Sequence, residues 1–189
     1  MKFRSAVHRS TVIIVILALS VLIGYGYQVL CERLEQAANP REFGEFVEKY
    51  SEEYGIPSSM LYALISVESN FRSNALSADG RIGLMQIKRE TMDWLNTAMH
   101  THYEYGILDD PETNIRCGTY YLAYLYSLYG RWTPVLAAFE TNVDTVTFWT
   151  LEGEGTDENG NLVRTPNDDL NDKIARIEEK AEVYRKLYS

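Results

Sequence analysis

Little in this chain supports crosslinking, metal binding or nucleic-acid binding. Its two cysteines, Cys31 and Cys117, are too few for a disulfide scaffold, and no spacing of cysteine and histidine suggests a zinc site. Basic residues are also short, with 18 Lys and Arg against 27 Asp and Glu and a formal charge of −9. That balance argues against a nucleic-acid partner, because neutralising phosphates takes clustered Lys and Arg. Strand signals are few and no internal repeat is visible. What is present is 46% hydrophobic, 24% charged and 12% aromatic over 189 residues, which excludes a disordered or low-complexity chain. The length suits one ordinary domain with a modest extension.

The charge is unevenly placed. Lys2, Arg4 and Arg9 stand in the first thirty residues with no acid, a local charge of +3, and the remainder carries −12. Between them Val12 to Ile23 form an apolar run broken only by Ser20, and Gly24 to Leu30 extend it with Tyr25 and Tyr27. Residues 11–30 give the ~20 positions that a spanning helix needs. The basic flank marks the cytoplasmic side and the tyrosines suit the far interface. The expected organisation is therefore a cytoplasmic N-terminus over 1–10, a transmembrane signal-anchor over 11–30, a linker over 31–39 and an exported domain over 40–189. A cleaved signal peptide is the alternative, with Ala18-Leu19-Ser20 as its cleavage site. A lipoprotein reading is weak, since Leu30 rather than a small residue precedes Cys31. All three readings place the domain outside the membrane.

The exported part reads as a single all-α domain. Phe43, Phe46, Val47, Tyr50 and Tyr54 recur at helical spacing, so a helix is expected over 40–54, ended by Gly55. Pro57 opens a second helix to about Ser69, with Leu61, Leu64 and Ile65 on its apolar face. Residues 70–83, rich in Asn, Ser, Asp and Gly, read as a loop. A helix is expected over about 88–99, then a polar segment to Leu108. Asp110 caps, and Pro111 starts, a helix running to Tyr129, apolar on nearly every side and so central. Thr133 and Pro134 repeat the cap-then-proline signature for a helix through Phe139. Residues 152–167 read as an exposed acidic loop. A last helix carries Leu170, Ile174, Ile177, Ala181, Tyr184 and Tyr188 on one stripe. His100 and His102 suit surface positions.

One carboxylate stands where a hydrophobic residue is expected. The stripe Leu61, Leu64, Ile65 continues at Glu68, which therefore faces the core. Burial disfavours its charged form, and the negative end of the helix dipole acts the same way. Both effects keep a proton on Glu68 near neutral pH, as a general acid requires. The competing reading is a structural Glu bonded in the interior or turned to solvent. Gly83-Leu84-Met85-Gln86 follows the loop and combines glycine, an apolar wall and an amide, a plausible lining for a sugar cleft.

Glu68-Ser69-Asn70-Phe71, Ala75 to Gly80 and Gly83 to Ile87 together resemble the lytic transglycosylase domain of the soluble-lytic-transglycosylase (SLT) type. Asp110-Pro111-Glu112, Asn114-Ile115, Gly118 to Leu122, Leu136 to Phe139, Trp149 and Tyr184 to Tyr188 extend the resemblance over about 40–188. It implies a lysozyme-like helical fold acting on peptidoglycan glycan strands. The bond cleaved would be that between N-acetylmuramic acid and N-acetylglucosamine, leaving a 1,6-anhydro end. Glu68 would be the single acid and base, with no cofactor, no metal and no second carboxylate. Ser69, Ser77 and Gln86 would contact sugars, Met85 would form the apolar wall, and Gly83 would let backbone approach ligand.

The sequence departs from the family pattern where Ala-Tyr-Asn-Ala-Gly is usual. It has Ala138-Phe139-Glu140-Thr141-Asn142, so Phe139 lacks the hydroxyl and Glu140 brings a second carboxylate to the cleft. A tyrosine usual in the last helix corresponds to Lys173, and Arg89 replaces a frequent proline. Three expectations follow: transglycosylation by Glu68; a muramidase-like hydrolysis in which Glu140 orients water or raises the pKa of Glu68; or a non-catalytic scaffold that binds glycan.

Overall fold

A computed structural model describes residues 2–188, with side chains from Val15 onward. The chain separates into two compact units, one up to Pro40 and one from Arg41 onward.

The first unit is one helix, α1 (Lys2–Ala38). It continues without a break through 31–38, the segment expected to be a linker. Within it Val15–Ala38 has a mean hydropathy of 1.7 with none of its residues buried. Length and composition suffice for a membrane crossing, and Val21 and Ile23 are each 71% exposed. Among the described residues of the unit, none covers this apolar surface.

The second unit is all-helical. Its elements are α2 (Gly44–Tyr54), α3 (Ser58–Ser69), α4 (Arg89–Ala98), a 3₁₀ turn (Tyr105–Asp109), α5 (Pro111–Tyr129), α6 (Trp132–Glu140), α7 (Val143–Glu152) and α8 (Asp168–Tyr188). Among the described residues there are no strands, only isolated bridges such as Leu76 with Ile82 and Ile82 with Ile87.

The helix ends follow local chemistry. Asp110 accepts from Thr113 N–H at 2.9 Å ahead of Pro111, and Gly130 closes α5 at φ 64°. Two starts differ from expectation. Phe43 adopts φ 57° and α2 begins only at Gly44. Thr133 does not cap α6, which starts one residue earlier at Trp132, and its hydroxyl turns to Glu178 on α8. The stretch after Asn142 forms α7, with the Asn142 side chain accepting from Thr145 N–H at 2.8 Å.

α3 lies at the centre of the unit. Residues Met60 to Ile65 are all buried, and the helix packs along α8, where Tyr62 and Tyr184 stack at 5.3 Å. α5 packs against α2 and α6, with Ile115, Leu122 and Leu125 buried. It is not apolar-buried all round: Tyr126 and Leu128 face solvent. This packing brings the end of α3, the end of α6 and the first turns of α8 to one place.

Candidate active site

Glu68 occupies the last turn of α3. Its apolar neighbours pull that face inward, and only 3% of its side chain remains exposed. The helix ends at once: Asn70 and Phe71 both take left-handed backbone, φ 50° and 60°. Asparagine tolerates that conformation, whereas Phe71 is strained and is held by burial. Gln86, at φ 49°, is a third such residue. Strain of this kind gathers where a loop must be aimed.

Three charged side chains from other elements converge on Glu68. Lys173, on α8, places its Nζ 2.6 Å from Glu68 Oε1 and 2.8 Å from Glu140 Oε2. Glu140, at the end of α6, is 5% exposed and accepts from Arg81 Nη1 at 2.7 Å on the same oxygen. Arg81 also donates to the Glu140 carbonyl at 3.3 Å and pairs with Asp79 at 2.9 Å. Lys88 donates to the Glu140 and Thr141 carbonyls at 2.5 and 2.6 Å. The end of α6 is thus held from three sides.

The two carboxyls lie against one Lys173 ammonium, and a charge on either disfavours ionisation of the other. Burial, then the Glu140 charge and its hydrogen bond, push Glu68 up to about 8 against the opposing pull of Lys173. Burial also pushes Glu140 up, but the hydrogen bond with Glu68, the Lys173 charge and the Arg81 hydrogen bond outweigh it. Glu140 therefore titrates below the ordinary carboxylate value. The surroundings thus favour the acid form at Glu68 and the carboxylate form at Glu140. Burial and the nearby Arg81 lower Lys88.

The remaining expected site residues lie mostly beneath the surface. Ser69 is buried and donates to the Ile65 carbonyl at 3.0 Å, finishing α3. Met85 is fully buried against Gly118, so it packs under the loop instead of forming an open wall. Gln86 donates to the Gly83 and Ala75 carbonyls at 2.7 and 3.1 Å. Ser77, half-buried, donates to Asp79 at 2.5 Å and accepts from Arg81 N–H at 2.8 Å. Phe139 is buried against the Tyr121 ring at 5.7 Å. Gly83, at φ 82°, does admit a close approach, but of Asn114 and the Leu108 carbonyl.

Asn114 is the residue that organises this loop. Fully buried on α5, it accepts from Met85 N–H at 2.8 Å and donates to the Leu108 and Ile82 carbonyls at 2.8 and 3.1 Å. Arg81, Lys88 and Lys173 were not among the expected site residues. Lys173 carried the signal that exposed Glu68: it stands three residues after Leu170 at the edge of an apolar stripe. Beside the site, Lys88, Trp94, Tyr121, Tyr124, Asn142 and Asp144 contribute to a groove of about 520 Å³.

A helical unit closed around one protonated, buried glutamate at the end of its central helix defines a lysozyme-like domain. The family model "Transglycosylase SLT domain" matches residues 45–159, and the chain belongs to that family. It is 31% identical over 114 residues to the membrane-bound lytic murein transglycosylase C of Edwardsiella ictaluri, covering 59% of this chain and 31% of that protein. It is 34% identical over 100 residues to the soluble lytic murein transglycosylase of Escherichia coli, covering 49% of this chain and 15% of that one. The chain thus spans about a third or less of these relatives. The crystal structure of the 70-kDa soluble lytic transglycosylase of Escherichia coli matches with a TM-score of 0.71 at 25% identity, over 80% of this chain and 25% of that one. A complex of the 70-kDa soluble lytic transglycosylase with bulgecin A matches with a TM-score of 0.72 at 26% identity, over 80% of this chain and 25% of that one.

Proposed function

We propose that this protein is a peptidoglycan lytic transglycosylase that cleaves between N-acetylmuramic acid and N-acetylglucosamine and leaves 1,6-anhydro ends. Glu68 is its single acid and base. The Glu68 carboxyl gives its proton to the glycosidic oxygen as the bond to the anomeric carbon breaks. The 6-hydroxyl oxygen of the muramic acid then bonds to that carbon, and its proton returns to Glu68. No water is consumed, and the two products together have the mass of the substrate.

The observation that carries this reading is that Glu140 Oε2 is already held by two cations, Arg81 at 2.7 Å and Lys173 at 2.8 Å. Hydrolases that use two carboxylates set them about 5–9.5 Å apart, to admit a sugar carbon or a water between them. Here both carboxyls lie against one ammonium, Lys173, at 2.6 and 2.8 Å, and Glu140 is further occupied by Arg81. Held ionised and already paired, Glu140 is a poor base for activating water. This favours transglycosylation over the muramidase-like alternative, and the protonated Glu68 favours catalysis over a glycan-binding scaffold. Ser77, half-buried on the loop that carries Arg81, is the proposed sugar contact, with Gln86 buried behind it and bonded to the Gly83 and Ala75 carbonyls.

α1 supports single-pass anchoring, with the N-terminus cytoplasmic and the domain extracellular or periplasmic, so that the membrane and the glycan strand are its two partners. Mass spectrometry of digested peptidoglycan tests the chemistry. Anhydro-muramyl ends are expected from the wild type and none from Glu68→Gln. Products heavier by one water would identify a hydrolase, and unchanged cleavage by Glu68→Gln would remove Glu68 from the mechanism.

A further inference from the structure

Among the described residues, Lys173 is the one side chain ion-paired with both carboxyls of the site. Its Nζ lies 2.6 Å from Glu68 and 2.8 Å from Glu140, and it is 23% exposed. Before the reaction the cluster holds one anion, Glu140, against Lys173 and Arg81. Once Glu68 has given up its proton, two carboxylates held against one ammonium share a buried site. Two such anions repel strongly where the dielectric is low. Lys173 is placed for that ionised state, because its ammonium touches both anions, while Arg81 is shared between Glu140 and Asp79.

Resting on the reading of Glu68 given above, we propose that Lys173 is a positioning residue of this reaction. It stabilises the carboxylate that Glu68 becomes between proton donation and proton recovery, and Glu140 with Arg81 fixes it there. Two departures from the family pattern then form one device, since the glutamate on α6 and the lysine on α8 are ion-paired. A preorganised charge aimed at a site where charge develops acts chiefly on the catalytic step.

A lysine that merely fills a buried ion pair would behave differently, and pH profiles separate the two. The charged groups facing Glu68 are Glu140 from α6 and Lys173 from α8, and behind Glu140 stand Arg81, with its partner Asp79, and Lys88. Removing a neighbouring cation makes Glu68 a weaker acid, whereas removing a neighbouring anion makes it a stronger one. The full-length protein in detergent is assayed for anhydro-product release as kcat and KM across pH 5–10.

Lys173→Met is expected to lower kcat on the order of 100-fold, with KM near the wild-type value, and to move the alkaline limb upward. Glu140→Gln is expected to move the same limb downward. Lys173→Arg, which keeps the charge, recovers the wild-type limb. Lys173→Gln repeats the methionine result should that variant fail to fold. Limbs that stay in place, or that move together while KM rises, would overturn the role of Lys173 alone. A wild-type chain that releases no anhydro product would sink the underlying reading and this one with it.

Discussion

Gly80 and Gly83 offer a matched pair, because both adopt φ 82° in the same loop but face different surroundings. A Cβ on Gly80 meets nothing within 4 Å, whereas a Cβ on Gly83 meets Asn114 Nδ2 and the Leu108 carbonyl oxygen, each at 2.1 Å. Gly80→Ala therefore carries only the backbone penalty for a left-handed L-residue, about 1–2 kcal/mol. Gly83→Ala carries that and must also push the Asn114 amide aside. Asn114 makes three hydrogen bonds, to Met85 N–H and to the Leu108 and Ile82 carbonyls. Leaving buried partners unsatisfied costs about 1–3 kcal/mol each, so losing two of the three adds on the order of 4 kcal/mol.

At roughly 2–4 °C per kcal/mol for a domain of this size, Gly83→Ala should melt about 10 °C below Gly80→Ala. The three tryptophans, Trp94, Trp132 and Trp149, all lie in the second unit. Tryptophan fluorescence of the full chain in detergent thus reports that unit without a contribution from α1. Pairing Gly83→Ala with Asn114→Ala should cost less than the two changes summed, since the Asn114 hydrogen bonds are then lost only once, while the Leu108 carbonyl oxygen still opposes the new methyl. Should Gly83→Ala and Gly80→Ala melt within about 3 °C of each other, the account of Asn114 as the organiser of the loop is wrong.

Glu68 also governs how stability varies with pH. Its folded value near 8 lies above its ordinary 4.5, so its contribution is complete below about pH 4.5 and is lost as pH rises through 8. Glu68→Gln should flatten the decline between pH 5 and 9 in denaturant titrations, and an unchanged slope would mean that Glu68 is ionised in the folded protein. For the anchor, the full chain should stay with membranes through alkaline carbonate washing, while a chain beginning at Pro40 should be released. Release of the full chain would exclude α1 as a spanning helix.

Much of the fold was legible because the relevant signals are local. Asp110 with Pro111, Gly130 after Tyr129 and the stripe of α8 mark their helices through caps, fixed φ angles and periodicity. The misplaced starts have local causes of another kind. Phe43 takes a left-handed conformation that its residue type does not announce, and Thr133 spends its hydroxyl on a helix distant in sequence. Glu68 was legible because a carboxylate on an apolar stripe violates the pattern around it. Gly83 and Met85 were found as positions but not as roles. Their neighbours, Asn114 and Gly118, come from α5, and no spacing in the sequence says which element will cover a loop.

The sequence by itself determined that the chain has an apolar N-terminal helix, an acidic all-helical domain and one glutamate turned toward the core. Periodicity, caps and composition act over a few residues, and a single sequence displays them in full. The tertiary structure decided what that glutamate meets. Lys173 lies about a hundred residues beyond Glu68 in the chain, and Glu140 about seventy, yet helix packing brings all three within hydrogen-bond distance. Coulomb and desolvation effects depend on distance and burial, which only the packing supplies. The choice of which of two buried carboxyls keeps the proton was therefore made by the fold.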